Sequence, residues 1–186
     1  MDRPSTPSLF RLSRKVRLAG FGQVQLVLAL VCVVLAACLL FFWQRRHQMT
    51  LRCDAYVEDV RGFASASRKA FEKHGAAPPG GGALPVVPLG MEPYVSQERW
   101  LQPTPFGGNY HWLSPFPPDA PPPSPKDSYP IIGAIQVNGF PPRSPVRLTE
   151  GEIAYLEARF AEKAVPGVKL IFGFNGWPIC IVYATP

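Results

Sequence analysis

Charge is missing from the stretch Leu26 to Trp43 (LVLALVCVVLAACLLFFW), which holds no Asp, Glu, Lys or Arg. Eighteen apolar residues at ~1.5 Å each make a helix of ~27 Å, close to the ~30 Å hydrocarbon thickness of a bilayer. A core helix of that character would need a partner on every face, so a membrane span is the better reading. Val24 extends the run, Trp43 stands where an interfacial aromatic would, and Arg45 and Arg46 close it. Proline is absent between Pro7 and Pro78, although the chain has 23. Its absence leaves that whole stretch free to be one helix.

Cysteine is also scarce. There are four, and Cys32 and Cys38 lie inside the apolar run, which excludes a disulfide framework. Cys53 and Cys180 are left to pair in an oxidising compartment or to stay as free thiols. No C-x-x-C pair is present. His47, His74 and His111 lack metal-ligand spacing, and there is no G-x-S-x-G, H-E-x-x-H or Walker-type loop. Gly80 to Gly82 lacks the Lys and the helix of a phosphate cradle and reads as a connector. Glu150 and Glu152 read as favourable charges at a helix start, not as paired catalytic carboxylates. His111, between Tyr110 and Trp112, reads as a packed loop residue. The expectation is a protein with no catalytic residues, no cofactor and no metal.

The formal charge of +6 is uneven. Residues 1 to 20 hold Arg3, Arg11, Arg14, Lys15 and Arg17 against Asp2, so 5 − 1 = +4 sits there, and the other 166 residues carry +2. Nucleic-acid binding needs a basic stripe on a folded face, so this pattern excludes it and indicates a targeting signal. Five basic residues before the span against Arg45, Arg46 and Arg52 after it favour a cytoplasmic N-terminus. The protein is then single-pass, with the bulk of the chain outside the cytoplasmic (inner) membrane.

Past the span, Tyr56, Val60, Phe63, Ser67, Ala70 and Phe71 recur at spacings of three and four, with Glu58, Asp59, Arg61, Arg68 and Lys69 between them. That is an amphipathic continuation of the helix, stopped at Lys73, His74 and Gly75. Residues 76–130 are loop-rich. They include the breaker PPGGG and a run, Pro115 to Pro125, in which seven of eleven residues are Pro. That run favours polyproline II and reads as a stiff surface loop more readily than as a peptide ligand. The aromatics of Trp100 to Trp112 (WLQPTPFGGNYHW) bracket a Gly-Gly-Asn turn.

Ile131 to Val137 reads as a strand. Thr149 and Glu152 have capping-box spacing ahead of Ile153, Leu156 and Phe160, and Pro166-Gly167 end that helix. Val168 to Phe174 and Trp177 to Tyr183 flank Asn175-Gly176, a strong hairpin signal in which both turn positions tolerate positive φ. Pro178 implies an edge strand or a strand start. The expected organisation is a leader at 1–20, the membrane helix at 21–48, its amphipathic continuation at 49–75, loops at 76–130 and a β-rich part at 131–186. The last contains a helix at 149–164 and a hairpin at 168–183. The fold class is α+β, with a small antiparallel sheet packed on the outer half of the long helix and covered by the 149–164 helix.

The basic leader ending in Ala19-Gly20, with Phe21 and a long apolar helix directly after it, resembles a type IV prepilin signal, shared by pilins and type II secretion pseudopilins. In that family an embedded aspartyl peptidase cuts at the cytoplasmic face and leaves the apolar helix as anchor, whereas a secretory signal loses it. The resemblance implies cleavage after Gly20 and N-methylation of Phe21. It also implies a pilin-like fold and a structural subunit whose partners are a prepilin peptidase, other pilin-like subunits, inner-membrane assembly proteins and the lipid bilayer. The sequence departs from the family at Gln25, the fifth residue after the junction, where a Glu usually pairs with a neighbouring subunit's amine in the filament core. Gln cannot neutralise an amine, so the chain reads either as a minor or tip subunit, some of which lack the Glu, or as one that has left the assembly machinery. Pro103 to Trp112, with the later strand, helix and hairpin, also resembles a group of uncharacterised bacterial pseudopilin-like proteins. Two rival readings of the N-terminus are a lipobox, Leu35-Ala36-Ala37-Cys38, with acylation at Cys38, and a plain uncleaved anchor.

Overall fold

The structure, a computed structural model, describes residues 22–80, 86–114, 130–139 and 143–184. The leader, Phe21 and the proline-rich run 115–125 lie outside the described residues. The chain divides into two compact units, residues 1–44 and 45–186. The first helix, α1, spans Gln23–His74 as one 52-residue element, and the first unit contains its apolar turns. It ends as expected, at Lys73 and His74, with Gly75 at φ 67° donating its N–H to the Phe71 carbonyl at 2.8 Å.

In the second unit α1 buries Cys53, Tyr56, Val57, Val60, Phe63, Ala64, Ala66, Ser67 and Ala70. The stripe at spacings of three and four is therefore the core face of this part of the helix, with Phe71 half-buried at its end. Against it lies a four-stranded sheet, β1 Asn109–Leu113, β2 Ile131–Asn138, β3 Val168–Phe172 and β4 Pro178–Tyr183, in the order β1-β2-β4-β3. Every neighbouring pair is antiparallel. Pro178, Cys180 and Val182 are buried and the residues between them half-buried, so one face of β4 meets the core. Pro178 starts β4, which is a central strand, so the strand-start reading of this proline holds and the edge reading does not.

Aromatic side chains join helix to sheet. Phe63 packs edge-on against Trp100 and against Tyr110, each with ring centroids 4.8 Å apart, and Tyr56 meets Phe106 at 5.3 Å. Burying each such side chain contributes roughly 1.5–3 kcal/mol. Trp100 sits on a short helix, α2 Gln97–Leu101, capped by Ser96, and Tyr110 and Trp112 sit on β1. The stretch read as loop thus contains a helical turn and a strand. The Gly-Gly turn does reverse the chain: Gly107 and Gly108 take φ of 77° and 72°, and a Cβ on Gly108 would stand 2.6 Å from the Asn138 carbonyl oxygen.

The remaining helix, α3 Glu150–Lys163, has the full capping box at Thr149 and Glu152 and an αL residue, Ala164, at its end. It docks along α1. Tyr155 meets the Thr50 hydroxyl at 2.7 Å, Arg159 grips Asp54, and the Lys163 carbonyl accepts from Arg61 at 2.9 Å. These contacts advance in the same sense on both helices, so the two run parallel. α3 therefore flanks α1 through polar side chains as well as capping the core with Leu156 and Phe160.

The hairpin also differs from the expected tight turn. β3 ends at Phe172, paired with Pro178, and Gly173 donates its N–H to the Trp177 carbonyl at 3.0 Å. Three residues, Phe174 to Gly176, make the connection. Of Asn175 and Gly176, Gly176 alone has positive φ, 73°. A three-residue loop ending in a left-handed Gly is the common alternative to a two-residue turn.

Candidate functional site

Among the described residues the first unit is a single apolar helix. Its side chains stand open along the whole span, from Val24 at 80% exposure to Trp43 at 67%. A helix that is apolar on all sides is stable when something apolar surrounds it, and this one is long and apolar enough to cross a membrane. Gln25 sits at its start. The Gly22 carbonyl accepts from the N–H groups of Gln25 at 2.8 Å and Leu26 at 3.2 Å, and the Gly22 N–H donates to Gln25 Oε1 at 3.2 Å. Gly22 thus acts as N-cap and Gln25 as the third helical residue that reaches back to it, one half of a capping box. Gly20 and Phe21, the expected processing residues, lie outside the described residues.

In the second unit several polar groups hold α1 to its neighbours. Asp54 takes two hydrogen bonds from Arg159, with Lys163 Nζ at 3.9 Å. The Arg159 hydrogen bonds hold the Asp54 carboxyl below its usual 3.8, and the guanidinium is held more firmly charged in return. Asp59 is shared between Tyr110, whose hydroxyl donates to Oδ2 at 2.8 Å, and Arg99, which donates to Oδ1 at 3.2 Å. Burial, with Asp59 beside it, pushes the Tyr110 hydroxyl well above its ordinary value. Arg68 donates to the Tyr183 carbonyl at 3.1 Å and to the Pro166 carbonyl, tying the end of β4 to α1.

Cys53 and Cys180 are both free thiols, and both are fully buried. Burial pushes Cys53 up to about 11 and Cys180 up to about 12, with Asp54 adding to the rise at Cys53 and the Tyr56 hydrogen bond opposing it at Cys180. The Tyr56 hydroxyl lies 3.4 Å from Cys180 Sγ. Such thiols remain protonated and are poor nucleophiles.

The histidines are dispersed: His47 and His74 lie on exposed turns of α1, and His111 on β1. Glu152 is the capping-box carboxylate, and its hydrogen bond from the Thr149 N–H lowers its pKa from 4.5. Sequence reasoning missed the Asp54–Arg159 and Asp59–Tyr110 contacts, which join residues 105 and 51 positions apart and leave no local pattern. The Gln25 cap did leave one, the spacing Gly22-x-x-Gln25. The chain matches no protein-family model, no curated protein and no solved structure.

Proposed function

We propose that the protein is a pilin-like structural subunit, held in the cytoplasmic membrane by one span and carrying a small α+β domain outside it. One observation supports this most: α1 passes from the apolar turns Leu26–Trp43 into the buried stripe Cys53–Ala70 without a break. A single helix is then both anchor and spine, the economy that a filament subunit uses. A prepilin peptidase removes residues 1–20 and Phe21 is methylated, which leaves Gln25 as the fifth residue of the mature chain. With an amide in place of a carboxylate there, the protein serves as a minor or tip subunit of a type II secretion or type IV pilus-like filament. Other pilin-like subunits and inner-membrane assembly proteins are its partners, and it performs no catalysis.

A second reading has one observation in its favour. Gln25 Oε1 already accepts the Gly22 N–H, so the residue has a local task that needs no neighbouring subunit. On that reading the chain is a single-pass anchor for a domain that works alone.

Intact-mass analysis of the protein made beside its peptidase separates these. A chain starting at N-methyl-Phe21 is the expected result. Met1 retained would leave the plain anchor, and a lipidated Cys38 at the start would make it a lipoprotein.

A further inference from the structure

Among the described residues of the second unit Phe174 is the most exposed large apolar side chain, at 111%, and it sits in a turn, where polar residues are the norm. Its place in the domain gives that exposure a meaning. The Tyr56 hydroxyl meets Cys180 and Arg68 meets Tyr183, so β4 and α1 run in the same sense. The residues ahead of β4 therefore lie toward the early turns of this part of α1.

A second set of contacts leads to the same end. A Cβ on Gly176 would lie 3.5 Å from the Leu148 carbonyl oxygen, 3.8 Å from Arg147 Cγ and 3.9 Å from Ile153 Cδ1. Glu152, beside Ile153, pairs with Arg45 at 3.8 Å. Phe174, Arg147 and Arg45 thus share one end of the domain, with Arg46 exposed next in the chain. Among the described residues the acidic groups at the start of α3 are Glu150 and Glu152, and Glu152 is engaged with Thr149 and Arg45.

Arg45 comes two residues after Trp43, the last residue of the apolar run. We infer that this end of the domain rests on the lipid headgroup layer of the same membrane, with Phe174 inserted at the acyl boundary and Arg46 and Arg147 against lipid phosphates. The inference depends on Leu26–Trp43 being a span. An exposed aromatic at the same end of a domain as exposed arginines suits the interface, since the ring finds apolar depth and the cations find phosphate.

The test uses the full chain with Cys32 and Cys38 replaced by Ser, in vesicles of phosphatidylethanolamine and phosphatidylglycerol. An environment-sensitive fluorophore is attached at Phe174→Cys, or at Lys73→Cys at the far end of α1 as control. The label at 174 should emit further to the blue than the label at 73. Lipids with a quencher near the headgroup should quench it, and Arg147→Glu should reduce that quenching by about half. Equal, water-like emission at both positions in a chain that floats with the vesicles and resists alkaline extraction would overturn the inference and leave the span intact. A chain that fails to float would remove the span and the inference together.

Discussion

Arg159 holds both oxygens of Asp54, Nε to Oδ1 at 2.9 Å and Nη2 to Oδ2 at 3.0 Å. The two side chains come from α3 and α1, and their parallel hydrogen bonds fix one helix on the other in direction as well as in distance. The Thr50–Tyr155 contact and the Arg61 bond to the Lys163 carbonyl lie on either side of it.

Acid should therefore loosen the domain. The folded-state pKa of Asp54 is lowered from 3.8 and that of Glu152 from 4.5, so the unfolded chain binds more protons at low pH. The stability they contribute is complete above those ordinary values and is lost as pH falls through the folded ones. Thermal unfolding should be nearly independent of pH from 7 to about 5 and should weaken below about 4. Asp54→Asn should cost about 1 kcal/mol at neutral pH, or ~2–4 °C, and flatten the acid limb. An acid limb in Asp54→Asn as steep as that of the native chain would remove Asp54 as its source.

Gly133 makes the strongest steric prediction. A Cβ there would stand 2.1 Å from Cζ2 of the Trp112 indole, which is buried and donates to the Pro78 carbonyl at 2.9 Å. The ring cannot move without losing that bond. Gly133→Ala should destabilise by about 3 kcal/mol, and Trp112→Phe in the same chain should recover part of the loss. Gly176→Val, where positive φ is the obstacle, should cost less, about 1–2 kcal/mol. Denaturant midpoints of the four chains supply the comparison, and equal losses at the two glycines would refute the clash.

Cys53 and Cys180 should behave as hidden thiols. Buried and pushed to about 11 and about 12, they are neither accessible nor ionised at neutral pH. Maleimide should leave both untouched in the folded chain and modify both in denaturant. With Cys32 and Cys38 replaced by Ser, the intact mass should show two reduced thiols, and a chain two hydrogens lighter with these residues linked would contradict the structure.

Local signals carried most of the fold. Thr149 and Glu152 marked the start of α3 because a capping box is complete within four residues, and Tyr56 to Ala70 marked the core face because helical spacing needs no distant partner. Asn175-Gly176 marked the hairpin, though not its loop length, which depends on where Phe172 and Pro178 pair. β1 was hidden because the short aromatic run after Gly108 reads equally well as packing beside a turn; pairing with β2 makes it a strand. The position of α3 beside α1 rests on Asp54 and Arg159, whose charges look like any solvated pair until the chain is folded. Of the candidate site, the long apolar helix was legible from its composition. Gln25 drew attention for the charge it lacks, while the hydrogen bond it makes went unread.

Gln25 is also where the functional reading is most exposed to experiment. Its side chain caps α1 by accepting the Gly22 N–H, so Gln25→Ala should raise hydrogen exchange at the Gly22 amide about fivefold, the equivalent of ~1 kcal/mol for a lost cap. Gln25→Glu keeps an acceptor in place and adds a negative charge in the first helical turn, so the amide should stay protected. Assembly separates the readings further. A minor or tip subunit is needed in few copies and need not hold a neighbour's amine through a carboxylate, so on that reading Gln25→Glu should be tolerated or should raise incorporation into fibres. A principal subunit with Gln25 would instead have to satisfy every buried amine by hydrogen bonds alone, a costly arrangement in an apolar core. Quantitative mass spectrometry of sheared surface fibres beside the membrane fraction measures the difference. Recovery as the dominant fibre protein would overturn the minor-subunit reading. Absence from every fibre, with normal processing, would make Gln25 a helix cap and nothing more, and the protein a processed anchor whose outer domain acts alone.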